Sequence, residues 1–176
     1  RNVVEDIANI ELRPTFVGIV DDSALGEDVV KKLKNHKVNT DYVMTMPGGM
    51  GTWLAVFDHN GDLAGSISQR PNLMPILGLL EKKGDEIFAN ADSVIVEVDM
   101  DKDIIKKVVT LAKQYNKKLY GVVSNMSIAV ERRDFLKHFD CFICNQLEAG
   151  MLFMEDYADK SPEELRDILS KRVILG

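Results

Sequence analysis

The sequence predicts an α/β fold built on a mostly parallel sheet. Two observations carry that prediction. From Ser93 onward, short β-branched runs alternate with amphipathic helical stretches, and strand–helix–strand repeats at this spacing call for right-handed crossovers between parallel strands. One stretch, Thr52 to Ser68, breaks the alternation: two strand-like runs flank Asn60-Gly61, a dipeptide suited to a tight hairpin turn.

The elements follow in order. Val3, Val4, Ile7 and Ile10 have the spacing of one helix face, and Pro14 ends that pattern. Thr15 to Val20 is a strand. Asp21, Asp22 and Ser23 offer N-caps for a helix over about Leu25 to Lys34. Thr40 to Thr45, Thr52 to Phe57 and Leu63 to Ser68 are strands, with Pro47-Gly-Gly as a turn. Helical sequence runs irregularly from Pro71 to Asn90. Strands Ser93 to Val98, Leu119 to Val123 and Cys141 to Cys144 then alternate with helices over Lys102 to Tyr115, Ile128 to Lys137 and Gln146 to Phe153. Ser161-Pro-Glu-Glu164 combines an N-cap, a proline at the first helical position and a capping-box glutamate, so a helix runs on to about Lys171 and Val173 opens a strand.

The 176 residues suffice for one core-forming domain, and residues 40–70 form a β-hairpin flap within it. The net charge of −6 argues against nonspecific binding to nucleic acid or anionic membranes, which needs clustered positive charge. It leaves open a small anion held by backbone amides and a metal. No apolar run approaches the ~20 residues of a membrane span. Cys141 and Cys144 sit at CxxC spacing but inside an apolar strand-like run, where residues three apart point to opposite faces; buried packing thiols and a reducing compartment, the cytoplasm, are expected. His36, His59 and His138 lie in polar surroundings and form no grouping that suggests catalysis. Arg1 in first place and the apolar run to Gly176 look like the edges of a fragment.

In a parallel α/β sheet, ligands bind beyond the carboxyl ends of the strands, so the residues there are the candidates. Asn145-Gln-Leu-Glu148 follows one such strand. An amide and a carboxylate at i and i+3 on a first helical turn face one side, where they either hold a hydrated Mg²⁺ and orient phosphates or form an ordinary capping box. Glu97 and Asp99 lie at the end of another strand, where an acid accepts hydrogen bonds from a polyol; the alternatives are a solvated strand end or an N-cap, Asp99 or Asp101, for the next helix. Ser124, Asn125 and Ser127 follow a third strand and either line a pocket or cap. Gly48-Gly49-Met50-Gly51-Thr52 lacks the Lys and the following helix of a Walker loop; it either lets backbone approach a ligand or is a turn.

Taken together and in this order, these stretches resemble the ribokinase (PfkB) family of carbohydrate kinases. Arg1-Asn-Val-Val-Glu-Asp-Ile-Ala is similar to the tail of that family's first signature, which gives Asn2 a role on sugar hydroxyls. Phe16 to Gly26 is similar to its Val-Gly-Asp-Asp turn, with Asp21 in place of Gly and Ser23 in place of the second Asp. Thr52 to Ser68, with Asp58-His-Asn-Gly-Asp62, resembles a substrate lid; Asn145-x-x-Glu148 matches the metal and phosphate motif. The resemblance implies a ribokinase-like three-layer fold with a small β lid. It implies ATP and Mg²⁺ as cofactors and phosphoryl transfer to a hydroxyl of a small sugar or nucleoside, with local likeness strongest to the pseudouridine kinase branch. Substrate contacts fall to Asn2, Thr52, Glu97 and Asn125, and metal and phosphate contacts to Asn145 and Glu148. The catalytic base is expected beyond Gly176, and Ile174-Leu175-Gly176 lacks the Thr usual in that turn. A homodimer through the lid is a further implication. The alternative is a non-catalytic or degenerate member that binds ligand only.

Overall fold

A computed structural model describes residues 2–61 and 63–172, the side chains of Leu63, Met126 and Ser127 excepted. The strand expected from Val173, the run Ile174 to Gly176, Arg1, Asp62 and the Ser127 side chain therefore lie outside the described residues. The chain divides into two compact units, Arg1–Ile76 and Leu77–Gly176.

In the first unit, helix α1 (Asn2–Asn9) precedes strand β1 (Thr15–Val20), helix α2 (Ala24–Asn35) and strand β2 (Asn39–Thr45). The β1 and β2 strands pair in parallel, with Gly18 opposite Val43 and Val20 opposite Thr45. Ser23 caps α2, its hydroxyl accepting from the Gly26 amide, and the Asp21 carboxylate in turn accepts from the Ser23 amide. Val20, Leu33 and Val38 form the buried centre of this β-α-β unit. After β2 the glycine turn folds back on β1: a side chain at Gly49 would meet the Val20 carbonyl oxygen at 2.4 Å, so only glycine permits this approach.

Strands β3 (Thr52–Phe57) and β4 (Leu63–Gln69) form the antiparallel hairpin, with Thr52 opposite Gln69 and Leu54 opposite Ile67. The connection is longer than the tight Asn-Gly turn expected: the strands last pair at Phe57 and Leu63, the Gly61 amide bonds to the Asp58 carbonyl at 3.1 Å, and of the dipeptide only Gly61 takes a positive φ, 86°, while the Asp58 side chain accepts from the Asn60 amide at 2.8 Å. Strand alternation puts Trp53 and Phe57 on one face and Leu54, Val56 and Ile67 on the other. All five are largely exposed.

The second unit begins within helix α3 (Met74–Ala89) and continues through β5 (Ser93–Glu97), α4 (Lys102–Gln114) and β6 (Lys118–Val122). Helix α5 (Met126–Ala129), a 3₁₀ segment (Val130–His138), β7 (Cys141–Ile143), α6 (Gln146–Phe153) and α7 (Pro162–Arg172) complete it. The three strands are parallel in the order β5-β6-β7, with Glu97 opposite Val122 and Val122 opposite Ile143. The apolar stripe of α4, including Ile104, Ile105, Val108 and Leu111, is buried, as are Leu119, Phe139 and Leu152. The α7 capping box forms as predicted: the Ser161 amide donates to Glu164 at 2.8 Å and the Glu164 amide to the Ser161 hydroxyl at 3.2 Å. The Ser161 amide holds the Glu164 carboxyl below its ordinary range.

One expected element differs. The stretch Ile128 to Lys137 is not a single α-helix but a short α-turn followed by a 3₁₀ run. Its inward-turned residues explain this. Leu136 and Phe139 are buried three apart, and Arg132, Phe135 and His138 are half-buried at the same spacing, which suits three residues per turn rather than 3.6. Both arginines there also bond to backbone outside the segment, Arg132 to the Met100 carbonyl and Arg133 to the Leu152 carbonyl.

Candidate active-site rim of the three-stranded sheet

Parallel pairing brings the carboxyl ends of β5, β6 and β7 side by side. Glu97 ends β5, Ser124 and Asn125 come two and three residues after β6, and Asn145 comes two residues after β7. Four of the six expected site residues, Glu97, Asn125, Asn145 and Glu148, thus lie along one rim of one sheet.

The half-buried Glu97 carboxylate accepts a hydrogen bond from the Ser124 hydroxyl at 2.5 Å. The sequence alone puts Ser124 near a pocket or a cap and does not connect it to Glu97; the strand register pairs those two loops. Asp99, just beyond, is buried. Asp101 stands at the N-cap position of α4 without a side-chain cap bond. The Asn125 carbonyl accepts from the amides of Ile128 and Ala129 and so opens α5.

At α6 the ordinary capping box is present. The Asn145 side chain accepts from the Glu148 amide at 2.8 Å, and Glu148 Oε2 accepts from the Asn145 amide at 2.7 Å. The box uses one carboxylate oxygen and leaves Oε1 outside it. It also fixes the side chains of both residues on the first turn, with their polar groups toward the helix N-terminus, where the aligned amides favour anions. Among the described residues no group of three or more His, Cys, Asp or Glu side chains could cage a metal ion. One carboxylate with a neighbouring amide fits Mg²⁺ of the kind that keeps most of its waters and is held partly by phosphate oxygens.

The cysteines are free and half-buried. Burial, and after it the Glu148 carboxylate, push the Cys144 thiol above its ordinary range, which keeps it protonated and suits the expected packing role. His36 Nδ1 lies 2.8 Å from Asn9 Oδ1, and burial followed by Lys113 and Lys137 lowers the His138 pKa. His59 stands exposed beside the hairpin turn.

Asn2 and Thr52 belong to the first unit. Asn2 opens α1 and lines a cleft of about 390 Å³ with Phe16, Ile19, Met50, Pro71 and Leu73. Thr52 is exposed at the start of β3, next to Gly51 of that lining. The apolar walls of this cleft are not legible in the sequence, because they come from four separate segments. A second cleft of about 580 Å³ in the other unit follows the flank of α6, past Gln146, Leu147, Met151, Met154 and Tyr157; it contains none of the expected site residues. No helix among the described residues is long and apolar enough to cross a membrane.

Comparison with known proteins places this geometry. Among curated proteins, the guanosine-inosine kinase of Exiguobacterium acetylicum is 30% identical over 153 residues, covering 86% of this chain and 50% of the relative, so the chain spans half that relative's length. Among solved structures, a ribokinase of Arabidopsis thaliana complexed with ribose and ATP matches 97% of this chain and 55% of its own. It has a TM-score of 0.75 and 18% identity. The 2-dehydro-3-deoxygluconokinase of Thermotoga maritima matches 97% of this chain and 57% of its own, with a TM-score of 0.75 and 15% identity. These structural likenesses establish a ribokinase-like α/β fold. The pfkB family carbohydrate kinase model matches residues 1–174, and the chain belongs to that family.

Proposed function

We propose that the complete protein transfers the γ-phosphoryl group of ATP to a hydroxyl of a small sugar or nucleoside, and that a nucleoside is the preferred acceptor. The observation that carries this reading is the single rim holding Glu97, Asn125, Asn145 and Glu148 in a chain of the pfkB family. Phosphoryl transfer asks for positioning and charge stabilisation more than covalent help from the protein, and strand ends supply that. From the family resemblance, Asn2, Thr52, Glu97 and Asn125 are each read as hydrogen-bonding to acceptor hydroxyls. Asn145 and Glu148 are read as holding a hydrated Mg²⁺ and the phosphate oxygens. The ion supplies positive charge to the transferring phosphoryl group. The base that takes the hydroxyl proton is assigned to chain beyond Gly176.

A nucleoside is favoured by the mostly apolar lining of the Asn2 cleft, where a base can be buried, and by the guanosine and inosine named for the curated relative. Pseudouridine remains the best single choice from local sequence likeness, and the cytoplasm, where ATP is abundant, is the proposed compartment. The test is an ATP-dependent phosphorylation screen of the complete protein with pseudouridine, guanosine, inosine, ribose and fructose. Turnover is expected fastest with a nucleoside. Binding without turnover of any of them overturns the kinase reading in favour of a ligand-binding member of the family.

The hairpin is proposed as the lid and as the surface that pairs with a second copy of the chain. An isolated two-stranded hairpin is marginal in water, and this one exposes apolar side chains on both faces, more than one covering surface accounts for. Leu54→Asp combined with Ile67→Asp, which charge one face, should turn a dimer into a monomer in sedimentation measurements; an unchanged sedimentation coefficient removes this role.

A further inference from the structure

We infer that Ser124 is a positioning residue for substrate recognition, acting through Glu97; the inference rests on the reading of Glu97 as a substrate-contacting group. The loop that follows β5 is fastened from two independent elements. From the β6 side, the Ser124 hydroxyl donates to Glu97 Oε2. From the 3₁₀ segment, Arg132, whose side chain is only 13% exposed, donates from Nε to the Met100 carbonyl at 3.2 Å. The backbone adds a third tie, the Val98 amide bonding to the Val122 carbonyl across the strands at 2.9 Å. Glu97 is thus held at both backbone and side chain.

A glutamate side chain has three rotatable bonds, and left alone at an open strand end it samples many rotamers. Engaging Oε2 from a neighbouring strand removes most of that freedom and leaves Oε1, with its lone pairs, in one place for a hydroxyl donor. A hydroxyl suits this task better than a cation: it orients the carboxylate without neutralising it, so the charge stays available to a substrate hydroxyl. Ser124 itself is exposed, and its hydroxyl does no packing that would make it a structural residue. Sites held to a productive geometry depend on such supporting hydrogen bonds.

The experiment uses the complete protein and whichever of pseudouridine, guanosine, inosine, ribose and fructose it phosphorylates. Glu97→Ala, Ser124→Ala, Ser124→Thr and the double alanine variant are compared by KM for the acceptor, KM for ATP, kcat and Tm. Ser124→Ala is expected to raise the acceptor KM about tenfold, the effect of one lost orienting hydrogen bond. The ATP KM and Tm should stay at wild-type values, and Ser124→Thr, which keeps the hydroxyl, should restore the acceptor KM. In the Glu97→Ala background, Ser124→Ala should add nothing, because its target is gone. If Glu97→Ala impairs the acceptor KM while Ser124→Ala does not, or if the two effects simply add, the inference fails and the assignment of Glu97 stands. The inference fails in the same way if Ser124→Thr does not rescue or if Tm falls with KM. If Glu97→Ala leaves acceptor kinetics unchanged, or none of the five acceptors is turned over, the functional reading fails and takes this inference with it.

Discussion

Replacing Glu148 by alanine in the complete protein should lower kcat about a hundredfold and raise the Mg²⁺ concentration needed for half-maximal rate, on the scale of losing one preorganised electrostatic contact to the transferring group. The structure shows how to separate that effect from damage to the helix. Glu148 closes the α6 capping box as well as facing the rim, so alanine also costs about 1 kcal/mol of helix-end stability. Glutamine completes a capping box equally well but carries no charge. Glu148→Gln should therefore keep the wild-type Tm while sharing the loss of turnover and the raised Mg²⁺ requirement. If Glu148→Gln shows normal Mg²⁺ dependence, Glu148 is a cap and nothing more.

The largest expected effect on stability lies behind the same sheet. Phe139 is completely buried, its ring centroid is 6.3 Å from that of Phe142, and it fills the space beside Gly121 on the central strand β6. Phe139→Ala removes a whole aromatic ring from a fully buried site and leaves a void there. It should cost about 3–5 kcal/mol, read as a lower midpoint in urea unfolding. Domains of ordinary stability hold only about 5–15 kcal/mol in reserve, so the variant should be near the edge of folding at 37 °C. A midpoint shift within error would mean that the ring is not the keystone its burial suggests. Phe139→Leu, which refills much of the volume, should recover a large part of the loss.

Where local chemistry alone decides an element, the sequence is sufficient. Gly61 marks the hairpin turn because its φ of 86° disfavours a side chain, and Ser161 with Glu164 sets the start of α7 because both partners of the capping box lie within one turn. The helix Gln146 to Phe153 is bounded by the same logic. The 3₁₀ run is not legible, because its spacing answers to Arg132 and Arg133 reaching the Met100 and Leu152 carbonyls, both distant in sequence. The site divides along the same line. Glu97, Asn145 and Glu148 are visible as polar residues at strand ends. The bond from Ser124 to Glu97 is not, since it depends on which strands are neighbours and in what register, and no short stretch encodes that.

The β3–β4 hairpin has a thermal consequence. If the hairpin closes as the lid proposed above, Trp53, Phe57, Leu54, Val56 and Ile67, exposed in this structure, would grip what it covers through release of water, a driving force that is mainly entropic near room temperature and fades on cooling. Whatever settles under such a flap should do so with a negative heat-capacity change. Cold should loosen this grip well before it threatens the fold.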